Sequence, residues 1–158
     1  MADVTAYLFA GFILLVVFLY LALWALTKLR IPTSARKEYG IKSITEQGIL
    51  VRSISEKRIA DYFDRINIKY QYERGAGYGL GHPDFYLPDY DVYVEYWGLV
   101  NADDLLTRER YVRHMKRKMA IYHKHNLRLV SIYPQNMENL NWIFRQKFRQ
   151  ATGYELDN

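Results

Sequence analysis

Cysteine is missing from all 158 residues. Its absence excludes a disulfide framework and thiolate chemistry, and it is compatible with a cytoplasmic setting. Internal repeats and low-complexity tracts are missing as well, so the length leaves room for one domain and little of a second core. Charge is missing from one long stretch: Val4 to Thr27 carries no charged residue and is mostly Leu, Phe, Val, Ala and Ile. About 20 helical residues cross a bilayer core, and a helix apolar on every face suits no small soluble domain. Val4–Leu26 is therefore expected to form a transmembrane helix within a membrane anchor of residues 1–30. A cleaved signal peptide would need a basic start and an apolar run of about 7–15 residues, whereas only Asp3 precedes this longer run. Lys28, Arg30, Arg36 and Lys37 follow it, so the positive-inside rule places the C-terminal domain in the cytoplasm of a single-pass protein. Tyr7, Tyr20 and Trp24 would anchor the helix at the two interfaces.

What is present is an excess of positive charge, +5 overall. It suits nucleic acid or an anionic membrane leaflet, and charge alone does not choose between them. Residues 31–45, with Pro32, Ser34 and Gly40 among basic residues, read as a juxtamembrane linker, and residues 46–158 as the globular domain. In that domain Ser53-Ile-Ser-Glu56 opens a helix on which Ile59, Ala60, Phe63 and Ile66 recur at helical spacing, ending near Asn67. Ile68–Tyr72 alternates as a short strand. Arg74–Gly81 holds four glycines but does not lead from a strand into a helix, so a phosphate-loop reading fails. Asp84–Leu87 and Asp91–Trp97 read as strands around a Pro88-Asp89 turn. Asp103 to Lys124 reads as a basic helix, Leu127–Tyr133 as a buried strand, and Asn136–Ala151 as a last helix. The order is α-β-β-β-α-β-α, with a parallel crossover between the last two strands, which implies an α/β domain with a small mixed sheet.

Two acids stand out. In Asp91–Trp97, Val92 and Val94 share one face while Tyr93 and Glu95 share the other. A carboxylate near the end of a buried strand is costly unless it is paired or bound to a metal. Mg²⁺ takes one or two protein carboxylates and fills its other positions with water and phosphate, and Asp84, on the adjoining strand, is placed to be the second. The plainer alternative makes Asp84 a turn-former after Pro83 and Glu95 the partner of a surface Arg. On the basic helix, with Tyr111 as reference, Met115 falls at about +40°, Tyr122 at about +20° and Lys118 at about −20°. Lys118 thus lies in the stripe that must face the sheet, while Arg113, Lys116, Arg117 and Lys124 point elsewhere. A buried lysine needs an anion, for which Glu95 is the candidate, unless its stem packs and its head escapes to water. Glu56 has a sufficient structural role in a Ser53-x-x-Glu56 capping box, and it is equally placed to hold a metal-bound water.

This constellation resembles the PD-(D/E)XK, or restriction-endonuclease-like, nucleases. Pro83-Asp84-Phe85 looks like the family's PD element, Glu95-Tyr96-Trp97 stands where its acid-x-lysine element would be, and Glu56 is similar to an acid of the first helix. The family's lysine would fall at Trp97. In nuclease-like segments associated with DNA helicases the lysine lies on the following helix, and Glu95-Tyr-Trp-Gly98 with Tyr111-x(6)-Lys118 looks like that variant. The resemblance covers roughly residues 53–133 and implies an αβββαβ core. It implies Mg²⁺ or Mn²⁺ held by Asp84, Glu95 and the Tyr96 main-chain carbonyl, with Lys118 and Glu56 completing the catalytic set. Lys57 and Arg58 would contact the backbone of DNA, with RNA as the other candidate. The expected function is a membrane-anchored, metal-dependent nuclease. The alternatives are an inactive module of the same fold that binds nucleic acid or a protein partner, and a basic membrane adaptor.

Overall fold

The structure is a computed structural model that describes residues 13–21 and 41–156. Its contacts divide the chain into two units, Met1–Pro32 and Thr33–Asn158. In the first unit residues 13–21 form a helix with exposed side chains. Among the described residues no helix is long and apolar enough to cross a membrane. The transmembrane helix expected over Val4–Leu26, and the single-pass localisation built on it, are corrected accordingly. The remainder of that expected span, residues 4–12 and 22–26, lies outside the described residues.

The second unit is α/β with two small sheets. It begins with a hairpin, β1 (Ser43–Ile44) against β2 (Leu50–Val51), turned at Gly48, whose φ of +84° suits a residue without Cβ. The sequence pattern shows neither strand, because two residues are too few to display alternation. Helix α1 (Ile54–Arg65) follows; Ser53 caps it by accepting the Glu56 backbone N–H at 3.1 Å. Ile59, Ala60 and Phe63 turn inward at helical spacing. The chain leaves α1 through Asn67 in the left-handed region, φ +56°, which shortens the expected Ile68–Tyr72 strand to β3 (Gln71–Tyr72).

β4 (Phe85–Leu87), β5 (Val92–Tyr96) and β6 (Arg128–Ile132) complete a four-stranded sheet in the order β3-β4-β5-β6. The first two pairings are antiparallel, and β5 runs parallel to β6 with Val92 opposite Arg128. Helix α2 (Leu105–Lys124), capped by Asp104, makes the crossover that a parallel pair requires. A 3₁₀ turn, Pro134–Asn139, then leads into α3 (Leu140–Thr152), which ends at Gly153 in the left-handed region. Alternation gives the sheet two faces. Phe85, Leu87, Val92, Val94 and Tyr96 pack with α1 and α3, where the Phe63 ring lies 5.4 Å from Phe85 and 5.1 Å from Phe144. The opposite face carries Tyr86, Tyr93 and Glu95 and meets α2, with Tyr93 and Tyr122 5.5 Å apart.

Candidate functional site

The register of the β4–β5 hairpin builds the site. Phe85 lies opposite Val94, so one more residue sets Asp84 opposite Glu95, both on the face that α2 covers. Asp84 is held by two contacts. Its Oδ2 accepts the Tyr96 backbone N–H at 2.7 Å, and its Oδ1 accepts the Arg52 guanidinium at 3.1 Å. Glu95 Oε1 accepts both the Lys118 ammonium and the Tyr122 hydroxyl, each at 2.5 Å. Both bonds end on one oxygen, which leaves Oε2 for the cleft that Glu95 lines. Lys118 and Tyr122 are the two buried residues of α2. Lys118 also donates to the His82 carbonyl at 3.4 Å, so its head is enclosed by protein acceptors rather than escaping to water.

Glu56 closes the other wall. Ser53 accepts its backbone N–H, but the carboxylate does not bend back to Ser53 as a capping box would have it. Its Oε2 instead accepts the Arg52 backbone N–H at 3.1 Å and the Tyr72 hydroxyl at 2.5 Å. The result is a cleft of about 320 Å³ between the N-terminus of α1, the end of β5 and the middle of α2. Arg52, Glu56, Asp84, Glu95, Tyr111 and Lys118 all line it. The Tyr96 carbonyl accepts a long 3.4 Å bond from Tyr111. Trp97 forms part of the wall with 2% of its surface exposed. Its backbone N–H is bonded to the Ile132 carbonyl, while its indole N–H is the buried side-chain polar atom without a partner among the described residues. Lys57 and Arg58 do not line the cleft: Lys57 pairs with Asp61 one turn along α1, and Arg58 donates to the Met137 carbonyl at 2.7 Å.

Charge in this cleft is unbalanced. Three carboxylates, Asp84, Glu95 and Glu56, face two cations, Lys118 and Arg52. Burial, reinforced by Glu95 and Glu56, raises the Asp84 carboxyl to about 7, with the Tyr96 N–H and Lys118 acting in the opposite sense. Burial and the neighbouring acids likewise raise Tyr111 and Tyr122, so both hydroxyls stay protonated and remain donors. Among the described residues no three His, Asp or Glu side chains gather closely enough to hold a metal alone. Two carboxylate oxygens and a main-chain carbonyl are a different donor set. They are hard ligands that suit a cation keeping most of its water, as Mg²⁺ does.

Reading the sequence brought out Asp84, Glu95, Lys118, Glu56 and Tyr96, and the structure brings all five to this cleft. It missed Arg52, Tyr72 and the hydroxyl role of Tyr122. Tyr122 carried a usable signal, one turn beyond Lys118 in the same stripe. Arg52 and Tyr72 lie outside any regular period and carried none. Compared with protein-family models, curated proteins and solved structures, the chain matches none of them.

Proposed function

We propose that the protein is a metal-dependent nuclease of the PD-(D/E)XK kind that hydrolyses phosphodiester bonds, with DNA as the preferred substrate. The observation that carries this reading is the convergence of Asp84, Glu95 and a buried Lys118 in one cleft with an excess of negative charge. Asp84 Oδ1, Glu95 Oε2 and the Tyr96 carbonyl would hold Mg²⁺ or Mn²⁺. When bound, the cation supplies Lewis-acid polarisation of a phosphate and a water of lowered pKa. The protein groups supply position. The Tyr96 N–H fixes Asp84, and Tyr122 with Lys118 fixes Glu95. Lys118 places an ammonium where negative charge builds on the phosphate. Glu56, both of whose bonds end on Oε2, keeps Oε1 for a water in the cleft. Lys57 and Arg58 would meet a DNA backbone only from outside the cleft, by giving up their present partners.

The test is cleavage of plasmid, single-stranded DNA and RNA by the full chain with Mg²⁺ or Mn²⁺. Activity should vanish with EDTA and fall by about a hundredfold or more in Asp84→Asn and Lys118→Met. The competing reading is a non-cutting module, favoured by Trp97 at the position of the family's lysine. Nucleic-acid binding without cleavage, unchanged by Asp84→Asn, would establish that reading instead.

A further inference from the structure

The two cations of the cleft are held in opposite ways. Lys118 has 11% of its side chain exposed and is closed in by Glu95 and the His82 carbonyl. Arg52 has 55% of its side chain exposed, yet its guanidinium reaches Asp84, whose side chain is only 10% exposed. Its backbone cannot drift, because its N–H is shared by Glu56 Oε2 and the Tyr72 hydroxyl, and Ser53 next to it caps α1. A second carboxylate grips the same side chain: Arg52 Nε lies 2.6 Å from Glu73. The Glu73 backbone N–H in turn donates to the Asp84 carbonyl, so both partners of Arg52 are fixed to neighbouring strand ends.

From this geometry we infer that Arg52 is the exchangeable counter-ion of the site. It occupies Asp84 Oδ1 until a divalent cation takes that oxygen, and it thereby sets how tightly the cleft binds the cation. The inference rests on the metal-dependent reading above. Asp84 does not need to turn for the exchange, because the Tyr96 N–H holds Oδ2 and only Oδ1 has to change partner. An exposed guanidinium returns to water at little cost, whereas the enclosed Lys118 does not. The charges also match. With Arg52 withdrawn and Asp84 ionised, three carboxylates remain against Lys118, two negative charges in excess, which one divalent cation neutralises. The Glu73 contact keeps the released guanidinium at the mouth of the cleft, so the exchange is reversible.

Calorimetric titration of the full chain with Mn²⁺ at low ionic strength tests this without reference to turnover. Arg52→Gln keeps the backbone N–H that Glu56 and Tyr72 use and removes only the competing charge, so it should bind Mn²⁺ about three- to tenfold more tightly than wild type. Arg52→Lys, which cannot span both carboxylates in the same fork, should fall between the two. Asp84→Asn should abolish binding. Equal or weaker Mn²⁺ binding by Arg52→Gln, with wild-type binding still dependent on Asp84, overturns the inference and leaves the metal site standing. A wild-type chain that takes up no Mn²⁺ at millimolar concentration overturns both.

Discussion

At the scale of single residues, the Lys118–Glu95 pair is a costly feature of the domain. Two charges taken out of water repay their desolvation only when geometry is close and the remaining valences are filled, here by Tyr122 and the His82 carbonyl. Removing one partner strands the other. Lys118→Met should lower stability by about 3–5 kcal/mol in urea unfolding, and the double variant Lys118→Met/Glu95→Gln should recover most of it. Under the proposed reading both should be inactive, the double variant also for want of Glu95, so stability would return without activity. Recovery absent from the double variant would mean that the two side chains are not energetically coupled. Lys118 was legible in the sequence because a helix projects its residues at a fixed angle, and Tyr111, Lys118 and Tyr122 fall on one line. Arg52 was not, because it sits in a turn whose geometry depends on a hairpin too short to leave a pattern.

At the scale of elements, caps and turns set the positions from which those side chains reach. Ser53 ends the hairpin segment and begins α1, so it fixes both Arg52 before it and Glu56 after it. Ser53→Ala should cost about 1 kcal/mol by loss of the cap. The same variant should also loosen Mn²⁺ binding, whereas Gly153→Ala, strained by about 1 kcal/mol at φ +77° at the far end of α3, should leave it unchanged. Melting curves paired with titrations of the two variants check the contrast. Elements long enough to show a period, α1, α2, β5 and β6, could be read from the chain to within about two residues, the usual uncertainty of element ends. The hairpin β1–β2 and the 3₁₀ turn before α3 could not, since they depend on backbone geometry at Gly48 and Pro134 rather than on repetition. The apolar run near the N-terminus taught the reverse lesson. Absence of charge reports hydropathy alone, and among the described residues no helix is long and apolar enough to cross a membrane.

For the whole molecule, Asp84 ties folding to pH. Its carboxyl is raised to about 7 in the folded state, chiefly by burial, while in the unfolded chain it returns to its ordinary range. Between about pH 4 and 7 the folded state therefore holds a proton that the unfolded state has released. The contribution of Asp84 to stability is fully present below that window and is lost as pH rises through it. Asp84→Asn removes this dependence, so wild type should lose stability relative to the variant between about pH 5 and pH 8, read as a difference in the pH dependence of Tm. Parallel pH dependence in the two proteins would show that Asp84 carries no such shift. The arrangement of strands adds a matter of timing. Partners in the β4–β5 hairpin are near neighbours in the chain, whereas β5 and β6 have all of α2 between them. The acids can come into register early, but Lys118 reaches them only as the crossover closes and its loop entropy is spent. We expect that contact to form after the folding barrier. Losing it should hasten unfolding far more than it slows refolding, so the pair that equips the cleft also governs how long the folded domain lasts.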